Sequence, residues 1–360
     1  PRGGTMKNWE ENIRKVVPYV PGEQPKKANI IKLNTNENPY PPAPGVADAV
    51  KGVDIDRLRM YPDPLVTDLV QAIASYYNVG NDQVFVGVGS DDVLAMTFMT
   101  FFNSKKPILF PDITYSFYDV WADMLRIPYE QIPLKENFTI DPKDYMRANG
   151  GVIFPNPNAP TGELMDLSQI EEIIKANPDV IVAVDEAYID FGGVSALPLI
   201  DKYDNVIVVQ TFSKSRSMAG SRIGFAISNP TLIKYLNDVK YSFNSYTMDT
   251  ITIAAGTAAV NDRAYFELTR DKIIKTREWT KQELKRLGFV FGDSKSNFIF
   301  AMHPDVSGEA LFEALRENDI YVRHFSKPAR INEYLRITIG TDEQMKTFIA
   351  FLEDYLKKNK

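Results

Sequence analysis

"NVIVVQTFSKSRSMAGSRIGF", Asn205 to Phe225, is the stretch whose reading decides how the chain is built. Its β-branched opening, Val206 to Val209, reads as a buried strand, and the segment after it gathers Lys214, Arg216, Arg222 and four serines. In a chain of formal net charge −6, that much cation and hydroxyl at one strand end needs a reason. A basic run is most often a solvated face. The competing reading is an anion site, because ligands of open α/β sheets gather at the carboxyl ends of strands. Hydroxyls of Thr211, Ser213 and Ser215 together with the Arg222 guanidinium suit a phosphate dianion. A lysine beside such cations has its amine drawn down from roughly 10.4, which makes it a nucleophile toward carbonyls.

Outward from this stretch, between about Ala43 and Val260, helical patterns alternate with short apolar runs: "DLVQAIASYY", "QVFVGVG", "PILFP", "YDVWADML", "GVIFPNP", "LSQIEEIIKAN" and "VIVAVDEAY". That alternation predicts an α/β fold with a mainly parallel sheet covered by helices. After a helical stretch at 262–287 come "GFVFGDSKSNFIFAM", "GEALFEALREN", "IYVRHF", "YLRITIG" and "DEQMKTFIAFLEDYLKK", an order that predicts a smaller α+β domain. The last helix carries Asp342 and Glu343 in its first turn and Lys357 and Lys358 at its end, matching the helix dipole. Residues 6–42 are polar and proline-bearing and read as an arm lying on another surface and joining the smaller domain. The expected organisation is therefore 6–42, 43–260 and 261–360. "PRGGT", before Met6, reads as an appended remnant outside it.

Composition removes several kinds of chemistry. The 360 residues are 44% hydrophobic and 24% charged, ample for a large core without staples. There is no cysteine, so disulfides, thiolate nucleophiles and Cys-ligated metals are excluded, and a cytoplasmic setting is expected. Two histidines, His303 and His324, leave little room for a zinc site or a Ser/His/Asp triad, and no metal is expected. The chemistry must come from Lys, Asp, Tyr, Arg or a cofactor. "VLAMTFMTFF", Val93 to Phe102, falls short of the roughly 18 residues that span a bilayer and reads as a buried helix. The acidic balance argues against nucleic acid.

Three further strand ends carry polar clusters. "FVGVGSDDVL" runs from a strand through a Gly-X-Gly turn into a helix start, where small residues let backbone N–H groups approach an anion. It is an imperfect dinucleotide fingerprint, since the third glycine would fall on Asp92, and a tight capped turn is the plainer reading. "VIVAVDEAYIDF" ends in Asp185, Glu186 and Tyr188; a nucleotide-hydrolysis acid is excluded because no phosphate-binding G-x-x-x-x-G-K-[ST] loop occurs. "FPNPNAPTG", Phe154 to Gly162, is a rigid irregular loop. A lysine beside a phosphate cradle, with an acid and a tyrosine at a neighbouring strand end, is what pyridoxal phosphate chemistry requires: Lys214 forms the Schiff base and Asp185 pairs with the pyridine nitrogen.

"NPNAPTG", "DEAY" and "TFSKSRSMAGSRIG", in this order, resemble the fold-type-I aminotransferases that use pyridoxal 5'-phosphate. Within that class "LNTNENPYPP", "MYPDP", "GVGSDD", "YVRHF" and "YLRITIGT" are similar to the histidinol-phosphate aminotransferase family, over nearly the whole chain. The resemblance implies a large domain with a mainly parallel seven-stranded sheet between helices. It implies that Lys214 is the Schiff-base lysine and proton shuttle, that Asp185 keeps the ring nitrogen protonated, and that Tyr188 bonds the phenolic oxygen while Tyr115 stacks on the ring. The cofactor phosphate would be held at Gly89, Ser90 and Asp91, by Thr211, Ser213 and Arg222, and by Tyr61 donated from a second copy, making a homodimer with shared sites. Two positions depart from the family pattern. Ala159 stands where Asn precedes Pro-Thr-Gly, with Asn158 one place earlier to take its contact, and Asp92 stands where Glu is common.

The same resemblance implies small-molecule substrates, a phosphorylated amino alcohol and a 2-oxo acid. Tyr19, Asn36, Arg323 and Arg336 would bind them, the arginines on the phosphate of L-histidinol phosphate and, in the other half-reaction, on glutamate. An aromatic amino acid aminotransferase and a phosphothreonine decarboxylase on the same scaffold remain open. So, from other classes, do a ligand sensor, which would need a fused DNA-binding module, and a nicotinamide dehydrogenase, resting on "GVGSDD" alone.

Overall fold

The computed structural model describes residues 7–359; "PRGGT", Met6 and Lys360 lie outside the described residues. Strand β1 (Ile31–Lys32) is followed by β2 (Val84–Gly87), β3 (Ile108–Pro111), β4 (Tyr129–Ile132), β5 (Val152–Pro155), β6 (Val182–Asp185), β7 (Val206–Thr211) and β8 (Gly224–Ile227). Strands β2 to β8 form one seven-stranded sheet in the order β2-β8-β7-β6-β5-β3-β4. Only β8 runs against its neighbours β2 and β7; the remaining pairs are parallel. Every residue of β2, β3, β5, β6, β7 and β8 is buried. This is why they read as unbroken apolar runs: helices cover both faces of a mainly parallel sheet. One core cluster packs Leu69, Ile73, Ile170, Ile173 and Ile174 on one face. Another packs Val93, Leu94, Phe98, Tyr118 and Trp121 on the other.

The rest of the chain builds β9 (Val290–Phe291), β10 (Phe298–Met302), β11 (Ile320–Tyr321), β12 (Arg323–His324) and β13 (Leu335–Thr338). A four-stranded antiparallel sheet runs β12-β13-β10-β9, while β1 pairs in parallel with β11. "IYVRHF" is thus divided between two sheets. Its first half bonds to the arm and its second to β13, a division that local pattern does not reveal. A third core, with Leu33, Phe298, Ile337, Phe348 and Leu352, lies between these strands and the helices Arg263–Arg286 and Asp342–Lys358. The latter begins with a capping box, Thr341 accepting from the Gln344 N–H and Gln344 from the Thr341 N–H. "VLAMTFMTFF" lies in the helix Ser90–Phe101, whose Val93, Leu94, Met96 and Phe98 are buried. No described helix is long and apolar enough to cross a membrane.

Candidate active site

The carboxyl ends of β5, β6 and β7, the start of the helix Ser90–Phe101, the arm and the four-stranded sheet meet at a cleft of about 210 Å³. Tyr19, Asn36, Ser90, Asp91, Tyr115, Asp185, Tyr188, Thr211, Ser213, Lys214, Arg222, Arg323 and Arg336 all line it. Gly89 lies directly beneath. Its φ of +94° is left-handed, and a Cβ there would strike the Arg222 guanidinium. Gly224, opening β8, is required for a different reason: a Cβ there would collide with the backbone of Gly89 and Ser90. These two glycines bring the helix start, its free N–H groups and Arg222 against one another. Arg222 is itself left-handed, φ 56°, and its Nη1 donates to Ser213 Oγ at 3.3 Å and to the Ala219 carbonyl at 3.0 Å. The Thr211 hydroxyl accepts from the Ser213 N–H at 3.1 Å. Helix start, two hydroxyls and a guanidinium converge as an anion cradle.

Lys214 is half-buried in the cleft, where desolvation, reinforced by Arg336, lowers its amine to about 8. Its Nζ donates to the Thr35 carbonyl at 3.2 Å and stands 5.8 Å from the Tyr188 ring centre. Asp185 ends β6, where burial raises its carboxyl to about 6 against a Tyr118 O–H bond of 2.7 Å and an Ala187 N–H bond of 3.3 Å. No described cation pairs with it. Tyr188 accepts from Asn36 Nδ2 at 3.0 Å, and burial raises its hydroxyl. Tyr115 donates to Asp91 Oδ1 at 2.6 Å; burial and that carboxylate hold its own proton firmly.

A second cationic end lies on the four-stranded sheet. Arg336 Nη2 donates to the Asn34 carbonyl at 2.9 Å, while its Nε is buried without a partner. Burial lowers Arg336, and Arg323 adds to that. Tyr19 closes this end from the arm, stacked on Phe117 at 4.1 Å. A buried unpartnered donor beside a second guanidinium is a site for an anion that the protein does not itself supply.

Two expected cofactor residues are not in this set. Asn158 Oδ1 accepts from Thr114 at 2.8 Å and its Nδ2 donates to the Ile113 carbonyl at 2.9 Å, and the residue does not itself line the cleft. Tyr61 is 81% exposed, stacked on Tyr246 at 4.6 Å and outside its own chain's cleft. Tyr118, Thr35 and Ala187 escaped the sequence reading. Tyr118 had a signal, since it follows Tyr115 by three positions in "TYSFYDV", where the helix Tyr118–Leu125 begins. No described group of three or more His, Asp or Glu is placed to hold a metal ion.

A lysine of lowered pKa and an acid without a described cation partner, in one cleft at the strand ends of such a sheet, suit carbonyl chemistry, and comparison agrees. Residues 28–352 match the family described as "Aminotransferase class I and II", and the chain belongs to it. It is 51% identical over 350 residues to the histidinol-phosphate aminotransferase of Lactococcus lactis subsp. cremoris, covering 97% of this chain and 98% of that one. To the histidinol-phosphate aminotransferase of Clostridium acetobutylicum it is 53% identical over 348 residues, covering 97% and 99%. The fold is similar to the crystal structure of histidinol-phosphate aminotransferase from Sinorhizobium meliloti in complex with pyridoxal-5'-phosphate, with a TM-score of 0.82, 24% identity and 91% of each chain covered.

Proposed function

We propose that this chain is a pyridoxal-phosphate-dependent aminotransferase of histidine biosynthesis that exchanges the amino group of L-histidinol phosphate with 2-oxoglutarate. The observation that carries the reading is the two-ended cleft. Ser213 and Arg222 form one anion site, Arg323 and Arg336 the other, and Lys214 feels both arginine ends electrostatically. A phosphorylated cofactor and a phosphorylated substrate need that pair of sites with an amine between them. The relatives at 51% and 53% identity support the substrate assignment.

The residues present fit the cofactor. Asp185 is a buried carboxylate without a cation, which a protonated ring nitrogen would supply. The Gly89–Arg222 cradle is ready for a phosphate. When bound, the cofactor supplies a carbonyl for the amine and an electron-accepting ring. Lys214 would release its amine and carry the proton at the substrate Cα. Asp185 would hold the ring nitrogen protonated, Tyr188 donate to the phenolic oxygen and Tyr115 lie over the ring. The N–H groups at Ser90 and Asp91, with Thr211, Ser213 and Arg222, would grip the phosphate. Arg336, Arg323 and Tyr19 would hold the substrate's phosphate, or the distal carboxylate of glutamate.

The division at 43–260 and 261–360, with part of 6–42 joining the latter, is supported by a core in which Leu33 joins Phe298 and Phe348 and which meets the large domain at Ala159, Tyr188 and Phe191. A homodimer in which Tyr61 reaches the partner's cleft is supported by the exposure of Tyr61, Leu65 and Phe243. A cytoplasmic location fits a cysteine-free chain. The test is a substrate panel for the purified enzyme: L-histidinol phosphate, phenylalanine and tyrosine with 2-oxoglutarate, and O-phosphothreonine with carbon dioxide as readout. Histidinol phosphate should lead in kcat/KM by about 100-fold, as expected when a charged site is left unfilled by the competitor. A higher kcat/KM for phenylalanine or tyrosine, or decarboxylation of phosphothreonine, sinks the reading.

A further inference from the structure

Asn36 is 1% exposed and sits in left-handed backbone, φ 57°. Every polar group it has is engaged. Its Nδ2 donates to Tyr188 Oη and its Oδ1 accepts from Thr338 Oγ1, both at 3.0 Å. Its backbone N–H donates to the same Thr338 oxygen at 3.0 Å, and its carbonyl accepts from Asn297 Nδ2 at 2.9 Å. The amide orientation follows from Thr338, itself 1% exposed. The Thr338 oxygen accepts from a backbone N–H, so its proton needs an acceptor, and Asn36 Oδ1 is that acceptor. With the amide reversed, the buried Thr338 proton would have none. Asn36 therefore presents N–H, not oxygen, to Tyr188.

A phenol that accepts from Asn36 keeps its own proton for another partner, and no described acceptor takes it. Tyr188 lines the cleft beside Lys214. The neighbouring wall is Ala159, apolar and in the same core cluster, while the Asn158 amide is held by Thr114 and Ile113. The direction of one hydroxyl proton thus decides what this wall offers a ligand. We propose that Asn36 is a positioning residue: its amide holds the Tyr188 oxygen as an acceptor and so commits the Tyr188 proton to the phenolic oxygen of the bound cofactor. Thr338, on β13, anchors that amide. The inference rests on the cofactor reading above and moves Asn36 from the substrate-binding role that the resemblance implied.

The experiment is a pH titration of the bound cofactor's absorbance in the holoenzyme, which reads the basicity of the phenolic oxygen without turnover. Loss of one donor to an anionic oxygen makes it hold a shared proton more tightly. Tyr188→Phe should therefore raise the midpoint by about half to one pH unit. Asn36→Gly, which keeps the left-handed backbone and removes the amide, should raise it in the same direction. Adding Asn36→Gly to Tyr188→Phe should move it no further. Should Asn36→Gly fail to fold, Thr338→Val, which removes the anchoring hydroxyl at nearly constant shape, carries the same expectation. A midpoint unmoved by the folded Asn36 or Thr338 variant while Tyr188→Phe moves it, or shifts that add in the double variant, overturns the role of Asn36 alone. A midpoint unmoved by Tyr188→Phe overturns the cofactor role of Tyr188 and the Asn36 inference with it.

Discussion

Asp185 is buried, raised to about 6, and without a counter-cation, so in the cofactor-free protein it should be a stability defect that the substitution Asp185→Asn repairs. The magnitude follows from linkage. With the folded value raised from 3.8 to about 6, stability relative to the protonated form is intact below 3.8, falls as pH rises, and levels off above about 6. Above 6 the folded state carries a penalty of about 3 kcal/mol, two units at roughly 1.36 kcal/mol each. The amide keeps the bond from Tyr118 by turning its oxygen there, but loses the Ala187 N–H, about 1 kcal/mol. The apo variant should then be more stable than the apo wild type by about 2 kcal/mol at pH 8, roughly 2–3 °C in Tm for a chain of this size. At pH 5 the penalty falls to about half, and the gain should nearly vanish. Scanning calorimetry of both apo proteins at pH 5 and pH 8 measures it. With cofactor added the order should reverse, because Asp185 then gains the ring cation and the amide does not. An apo variant less stable than wild type at pH 8, or a gain independent of pH, would refute the picture of an unpaired buried charge.

Lys214, lowered to about 8 by burial and Arg336, should capture cofactor at a rate that rises with pH through about 8 and levels off above it, since only the neutral amine attacks. Stopped-flow absorbance of the apo protein checks this, and a flat profile between pH 6 and 9 sinks it. Arg336→Lys keeps the charge but loses the fork that holds Asn34 and the free Nε; kcat/KM should fall about 100-fold or more for both histidinol phosphate and glutamate, and a loss below tenfold removes Arg336 from the substrate. Mixing inactive Lys214→Ala chains with inactive chains disrupted at Tyr61 should regenerate activity, because one site of the mixed dimer collects both lesions and the other none. Demonstrated subunit exchange without recovered activity would place Tyr61 outside the partner's site.

Much of the large sheet was legible because a parallel strand covered on both faces has to be apolar throughout. Val182–Val184 and Val206–Val209 are such runs, and the polar cluster begins at the next position of each strand, Asp185 and Gln210. The helix Asp342–Lys358 was legible for a local reason too, with its acids, lysines and capping box all within the segment. What stayed hidden depends on what lies opposite. β1 finds β11 across nearly the whole chain, and this alone splits "IYVRHF". Within the site, residue types were legible and partners were not. Asn36 meets Tyr188 152 positions away, Tyr118 meets Asp185 67 away, and Lys214 meets the Thr35 carbonyl 179 away. Asn158 is of the expected type in the expected loop, and its bonds to Thr114 and the Ile113 carbonyl, 44 and 45 positions away, were equally invisible.

Buried charge elsewhere in the chain shows why the cleft differs. Lys281 is buried, but its Nζ reaches Asp293 at 2.6 Å, Glu278 at 2.8 Å and the Ser294 carbonyl at 2.9 Å. Arg277 is buried against Glu278 at 3.0 Å and the carbonyls of Phe191 and Ser296. Each of those two cations has a carboxylate and at least one carbonyl as partners, which offsets the several kcal/mol that an unpaired buried charge costs. In the cleft, among the described residues, Lys214 has a single carbonyl, Asp185 has no cation and Arg336 keeps an idle Nε. Each of these groups is pushed toward its neutral form, and they do not neutralise one another. A ligand with a cationic ring nitrogen, a reactive carbonyl and a phosphate would complete the first two and the Arg222 cradle at once, and a second anion would complete Arg336. The same incompleteness that would weaken the cofactor-free fold would therefore favour a zwitterionic cofactor and an anionic substrate in the cleft.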